Sequence, residues 1–319
     1  MSVIYINSSK DLDKIVPNTN LVLGLFDGVH IGHYQLISAS RYMSKGLLSL
    51  ITFDRSLKSN DQEILLSLKD KIDVFTKIGV DNIYIFKCSN EFKEMSYRKF
   101  MSDVLERFKP NKIFCGPDFK FGYRAQGDIY SLKSYFNNVI VLNYVNNYDG
   151  TKISSSIIKK YIRNGNIEDA NRFLGYNYYV KGIVIKGKQI GHELGYPTIN
   201  LKLTDNYVMP SDGVYISKVI FNNKAYPSMT NIGNNPTISD SKKVSIETYI
   251  LNFDEDLYNE EVSIVFYKRL RDEIKFNNLD ELKEELSKNK DEVAKYFEMY
   301  YNRWYETKSL NKKDIWFII

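Results

Sequence analysis

Histidine and cysteine are both scarce in this chain, with three and two residues respectively in 319. The cysteines, Cys88 and Cys115, have neither CxxC spacing nor a second pair, which excludes a disulfide framework and points to a reducing compartment. Glycine (17) and proline (7) are not enriched, and 43% of the residues are hydrophobic against 26% charged, so disorder is not the default. The longest apolar run, around Leu47 to Phe53, is far short of the roughly 20 residues that span a bilayer. The opening MSVIYINSSKDLD has no signal-peptide pattern. A cytoplasmic location without membrane attachment is therefore expected. Basic residues are interspersed with acidic ones rather than gathered in a block, and the net charge is only +5. Nucleic-acid binding concentrates cations on one face, so no nucleic-acid partner is expected, whereas small polyanions such as ATP fit. Oligomeric state is not legible.

The length suits two domains. From residue 21 to about 145, β-branched runs at Leu21–Leu25, Leu47–Phe53, Asn82–Lys87, Lys112–Cys115 and Val139–Tyr144 alternate with helical patterns near 34–45, 67–78, 97–108 and 128–136. That alternation predicts an α/β domain with a parallel sheet, Rossmann-like in architecture. Two short helices follow, the first opened by Ser154 to Ser156 and the second by Asn166. After Gly175 the texture changes to VKGIVI, VYISKVIF, KAYPSMTN, VSIETYIL and VSIVFYKRL, separated by turn residues, which predicts a small antiparallel β-barrel. Asn278 and Glu281 form a capping-box pattern ahead of one or two trailing helices. The boundary is placed between residues 1–177 and 178–319.

Two of the three histidines, His30 and His33, fall in GLFDGVHIGH, after the first predicted strand and at the start of the first helix. Ligands of an open parallel sheet gather at the carboxyl ends of its strands, and a helix N-terminus offers phosphate free N–H groups. Two imidazoles there can stabilise charge building on one α-phosphate. Zinc is a rival reading, but it needs a third ligand that His192 and the two lone cysteines do not obviously supply.

FDGVHIGH resembles the signature of the nucleotidyltransferase superfamily, in the form found in the FMN adenylyltransferase domain of bacterial bifunctional riboflavin kinase and FAD synthetase proteins. CGPDFKFGYRAQGD is similar to a segment that lines the flavin and nucleotide pocket of that family, and ISSSIIKKYIRNGNIEDANRFLG to its Ser-Ser-Thr-x-Ile-Arg element. The resemblance implies ATP contacts from Gly24, Phe26, Asp27, Gly32, Ser154, Ser155, Ser156 and Lys159. It implies flavin contacts from Asp118, Phe119, Phe121 and Gly122, with His30 and His33 catalytic. Lys159 stands where the family has Arg, losing a bidentate fork. TFDRSLKS, with Arg55, Ser56 and Leu57, replaces a Pro-His-Pro stretch.

In the second half, Gly187-Lys188 begins an apparent P-loop that fails, because Gln189 supplies no hydroxyl and no helix follows. The run GKQIGHELGYPTINL instead resembles the riboflavin kinase signature, with His192 in place of an Arg. The resemblance implies ATP contacts from Gly187, Gly191, Gly195, Pro197 and Thr198, and a magnesium ion held by Thr198 and Asn200. GVY, NIGNNPT, SIETYILNFDEDLY and KRLRDEIKF continue the likeness in order. Strand alternation puts Ser245, Glu247 and Tyr249 on the face opposite Ile246, Thr248 and Ile250. By resemblance Glu247 is the general base for the riboflavin 5'-hydroxyl, and Arg271 a flavin-side contact.

The whole chain thus reads as an enzyme that phosphorylates riboflavin to FMN in the C-terminal domain and adenylylates FMN to FAD in the N-terminal domain, with magnesium, ATP and flavins as its small-molecule requirements. Other nucleotidyltransferases, acting on pantetheine phosphate or nicotinate nucleotide, leave the barrel unexplained. A second reading stays open, a flavin-sensing regulator with one degenerate active site that binds RNA through its surplus positive charge.

Overall fold

The computed structural model describes residues 1–56, 62–146, 150–187, 195–235 and 243–307. The chain divides into two compact units, Met1–Ser155 and Ser156–Ile319.

The first unit carries strands β1 (Ser2–Ile6), β2 (Asn20–Leu23), β3 (Leu48–Phe53), β4 (Asn82–Phe86), β5 (Lys112–Cys115) and β6 (Val139–Val141) in one sheet of order β1-β4-β3-β2-β5-β6. Every neighbouring pair is parallel. Helices cover the faces, and β2 and β4 are buried along their whole length, as near-continuous apolar runs in a parallel sheet require. The principal helices are α1 (Ile31–Met43) and α2 (Leu68–Ile78). Short turns α3 (Asn90–Lys93) and α4 (Tyr97–Lys99) follow, the latter running on through π-helical and 3-10 turns to Phe108, and then α5 (Ile129–Tyr135). Ser67 caps α2 by accepting the Asp70 N–H at 3.1 Å, and Gly79 ends it in the left-handed conformation that glycine adopts freely. Leu21, Leu23, Ile51, Tyr84, Phe86, Phe108 and Ile113 form the centre of the core. The sequence pattern missed β1, and it made β6 three residues too long.

The second unit begins with α6 (Ser155–Arg163, its first residue shared with the first unit) and α7 (Ile167–Leu174). Asn171 of α7 donates to the Phe266 carbonyl at 2.9 Å and accepts the Tyr178 N–H at 2.7 Å, so α7 packs with the second unit's sheet. Strands β7 (Tyr179–Ile185), β8 (Thr198–Leu203), β9 (Gly213–Phe221), β10 (Lys224–Asn235), β11 (Lys243–Ile250) and β12 (Glu261–Arg271) close into an antiparallel barrel of order β10-β11-β8-β7-β12-β9. Thr198 is the first residue of β8.

Inside the barrel, Ser217, Ser228, Thr230 and Thr248 are fully buried and bond to one another: Ser217 to Ser228 at 2.8 Å and to Thr230 at 2.7 Å, Thr230 to Thr248 at 2.9 Å. Outside it lies one long helix, α8 (Leu279–Thr307). The expected cap is present, with Asn278 accepting the Glu281 N–H at 2.9 Å, while the Glu281 carboxylate reaches the Asn277 N–H at 3.0 Å. Val293 and Phe297 of α8 pack against Val214, Ile216 and Met229 on the outer face of the barrel.

Candidate active sites

The strand order of the first unit's sheet reverses between β2 and β5, because β3 and β4 extend to one side of β2 and β5 and β6 to the other. The carboxyl ends of these two strands flank a crevice at that switch point. GLFDGVHIGH leaves β2 and CGPDFKFG leaves β5, which explains how motifs more than eighty residues apart meet at one site.

The turn after β2 is strained. Phe26 (φ 56°) and Val29 (φ 34°) are both in the left-handed region, where an L side chain and above all a β-branched one is disfavoured. Phe26 is 1% exposed, edge-on to Phe75 and His33, and a Cβ on Gly24 would press into its ring at 2.6 Å. Gly24 and Phe26 therefore shape the turn from below. Asp27 holds it from the side: its carboxylate accepts the Leu65 N–H at 3.0 Å, and its carbonyl accepts the Ser155 hydroxyl at 2.9 Å.

His30 is the N-cap of α1, its Nδ1 accepting the His33 N–H at 3.4 Å, and the two rings stack 3.7 Å apart and 19° from parallel. Gly32 permits this, since a Cβ there would crowd the His30 ring at 3.3 Å. Burial lowers the His30 imidazole to about 4, with Asp118 opposing and Lys152 assisting. Burial also holds His33 well below its ordinary value, assisted by the nearby His30 and Lys71. Both rings are thus neutral at physiological pH, and the cap occupies the Nδ1 lone pair of His30, which leaves the proton on Nε2.

The loop after β5 is pinned just as closely. Phe121 and Gly127 exchange backbone hydrogen bonds at 3.0 and 2.9 Å, and Gly122, at φ 73°, sits where any Cβ would overlap the Tyr97 backbone. Phe119 stacks on Phe121 with centroids 5.4 Å apart. Asp118 pairs with Lys152 at 2.6 Å, and Lys152 also lies 3.8 Å from the Tyr144 ring centroid. Sequence reasoning missed Lys152 and Lys71. The only signal for Lys71 was a lysine on the apolar face of α2, next to Val74 and Phe75; it is 5% exposed, with its ammonium 3.5 Å from the Leu25 carbonyl. Ser154 is half-buried and Ser156 exposed, while Lys159 is buried on α6 in the second unit.

The barrel site is organised by strand register. Asn200 of β8 pairs with Glu247 of β11, and Thr198 pairs with Tyr249. Directly opposed residues share a face of a sheet, so Thr198, Asn200 and Glu247 stand together on the outside of the barrel. Ile246, Thr248 and Ile250 are buried on the other face, as alternation predicts. A Cβ on Gly187 would overlap the Asn200 carboxamide, which places that side chain directly over the Gly187 backbone. Tyr196 meets Tyr249 edge to face at 5.2 Å. Gly195 is exposed at φ 77° and Pro197 is exposed beside it; Gly191 and His192 lie outside the described residues. Arg271, at the end of β12, is engaged by α8: its Nε lies 3.0 Å from the Glu285 carboxylate and donates to the Asn289 side-chain oxygen Oδ1 at 3.3 Å.

A nucleotide-binding α/β domain with paired neutral histidines, followed by a closed barrel with a Thr-Asn-Glu cluster on its outer face, is the arrangement these features define. Residues 13–157 match the FAD synthetase family and residues 174–297 the riboflavin kinase family. The chain is 33% identical over 309 residues to the bifunctional riboflavin kinase/FMN adenylyltransferase of Listeria monocytogenes, covering 93% of this chain and 98% of that protein. It is also 33% identical to the Bacillus subtilis protein of the same description, covering 87% and 92%. A crystal structure described as a macrolide-efflux protein from Streptococcus pneumoniae superposes with a TM-score of 0.83 at 30% identity, covering 91% of this chain and 98% of that one. The chain belongs to the bifunctional riboflavin kinase/FMN adenylyltransferase family. Among the described residues, no helix is long and apolar enough to cross a membrane.

Proposed function

We infer that this protein makes FMN and then FAD: the barrel unit phosphorylates riboflavin with ATP, and the sheet unit transfers AMP from ATP to the FMN phosphate, releasing pyrophosphate. The observation that carries the reading is that each family match falls on a stretch of chain with its own polar site. The regulator reading is not favoured, because relatives of this description match along nearly the whole chain.

In the sheet unit, an FMN phosphate oxygen attacks the α-phosphorus of ATP as the bond to pyrophosphate breaks. His30 and His33, both neutral, donate hydrogen bonds to the oxygens on which charge accumulates. Ser154 and Ser155 are assigned to the nucleotide phosphates; the roles that the family resemblance gives Ser156 and Lys159 fall on the second unit. Phe119 and Phe121 supply a stacked aromatic wall for the flavin, with Asp118 and Gly122 setting the loop that carries it.

In the barrel unit, Glu247 takes the proton of the riboflavin 5'-hydroxyl while that oxygen attacks the γ-phosphorus and ADP leaves. The Thr198 hydroxyl and Asn200 carboxamide are hard oxygen donors one strand period apart on the same face, which fits a magnesium ion that takes its remaining ligands from water and nucleotide phosphates. Bound there, the ion would neutralise phosphate charge. Gly187, Gly195, Pro197 and, outside the described residues, Gly191 are assigned to the ATP side, and Arg271 to the flavin side. The functional division is placed at residues 177/178, and a cytoplasmic location accords with the two free cysteines. Incubating the purified protein with riboflavin, ATP and magnesium and separating the flavins by chromatography should give both FMN and FAD. Finding neither product would overturn the reading.

A further inference from the structure

The register of the barrel extends the Asn200–Glu247 pair into a longer row. Glu247 of β11 is opposite Asn231 of β10, Asn231 is opposite Val214 of β9, and Val214 is opposite Arg271 of β12. Five strands thus contribute one residue each to a line across the outer face, in the order Arg271, Val214, Asn231, Glu247, Asn200. The next row on the same face runs Ile216, Met229, Tyr249, Thr198. Its apolar members Ile216 and Met229 are covered by Val293 and Phe297 of α8, and Arg271 is held by Glu285 and Asn289 of the same helix. Asn231, Glu247 and Asn200 remain half-buried beyond the covered row.

Asparagine is poorly suited to the middle of a strand. On β10 the residues flanking Asn231, Thr230 and Ile232, are fully buried on the inner face, and a β-branched residue at 231 would serve the sheet better. The amide stands one strand from the proposed base, at the roughly 5 Å Cβ separation of a cross-strand pair. It carries no charge that would perturb a neighbouring carboxylate, and it both donates and accepts hydrogen bonds, as a chain of hydroxyl groups requires.

We propose that Asn231 is a specificity-determining residue of the kinase reaction, which binds the polyol chain of the acceptor and presents its terminal hydroxyl to Glu247. This rests on the assignment of the barrel as the riboflavin kinase. The hydroxyl proton passes to the Glu247 carboxylate, the oxygen–phosphorus bond forms at the γ-phosphorus and the bond to ADP breaks; Asn231 takes no part in the proton transfer.

The test compares Asn231→Ala and Asn231→Asp with the wild type, using riboflavin and an analogue lacking one side-chain hydroxyl as acceptors. Wild-type activity on riboflavin is measured first, and its absence would remove the kinase assignment and this proposal together. With the wild type active, Asn231→Ala should raise the KM for riboflavin about tenfold, the size of one lost hydrogen bond, with the KM for ATP unchanged. The loss should shrink with the analogue that lacks the hydroxyl Asn231 contacts. In Asn231→Asp, which keeps the shape but replaces the N–H donor with a carboxylate, the KM for riboflavin should also rise with the KM for ATP unchanged. Circular dichroism and an unchanged kinase KM for ATP in the same preparations report folding of the barrel, and should the Ala variant fail these, the nearly isosteric Asp variant decides. An unchanged KM for riboflavin in the folded Ala variant, or in the Asp variant where only that one folds, overturns the proposal.

Discussion

His30 Nδ1 accepts the backbone N–H of His33 at 3.4 Å while the two imidazoles stack, so one interaction caps helix α1, fixes a tautomer and excludes a proton. A protonated Nδ1 has no lone pair for the cap. The group that opens the helix is therefore the one that must stay neutral.

This has a sign that can be measured. His30 titrates at about 4 in the folded protein against an ordinary 6.5, so between those values the unfolded chain holds a proton that the folded one lacks. Stability should be fully present above pH 6.5 and fall as pH drops toward 4. His30→Asn keeps a good N-cap but cannot titrate. Urea unfolding across this range should show a shallower pH dependence in the variant, with His33 supplying part of what remains. The same substitution removes the imidazole Nε2–H, which the shorter carboxamide does not replace in position, and FAD formation from FMN should fall roughly 100-fold or more. Identical pH profiles for wild type and variant would contradict the assigned environment of His30.

Gly187 supports Asn200 from beneath. In Gly187→Ala the new methyl group must displace the carboxamide, and misplacement of about 1 Å in a positioned group commonly costs roughly 100-fold in rate. Riboflavin phosphorylation should drop on that scale while FMN adenylylation holds within about twofold. Equal kinase rates in separate steady-state assays would show that the Asn200 position does not matter.

The four buried hydroxyls are predicted to be structural. Thr230→Val keeps the shape but removes one of the two inner members, leaving Ser217 and Thr248 each short of a partner in the buried interior. A loss of roughly 1–3 kcal/mol is expected. Urea unfolding followed by circular dichroism should show an earlier transition for the barrel; a midpoint at or above that of the wild type would contradict the role.

Legibility from sequence followed the range of the interactions. The GLFDGVHIGH turn was readable because strand, turn and cap are contiguous, and the outward face of Glu247 because strand periodicity is two. β1 was missed. Its VIYI run is as apolar as the IYIF of β4, but it precedes the alternation of strands and helices that begins at Leu21, and it lies at the sheet edge with only Ile6 buried. The Asp118–Lys152 pair joins residues 34 apart, and Asn231 reached its row through the register of β9, β10 and β11. No local pattern encodes such pairings. Gly24 and Phe26 were read as nucleotide contacts because their motif was recognised, while their packing on each other emerged only in three dimensions.

The central claim is that two chemically independent sites act in sequence, and Glu247→Gln tests it most directly. The substitution preserves shape and removes basicity, which is commonly worth roughly 100- to 10,000-fold. The flavins formed by the purified variant should be separated by chromatography after incubation with ATP and magnesium, once with riboflavin and once with FMN. The account predicts that riboflavin persists while FMN is still converted to FAD at the wild-type rate. A folded Glu247→Gln protein that phosphorylates riboflavin at the wild-type rate, or that loses both conversions together, would contradict it.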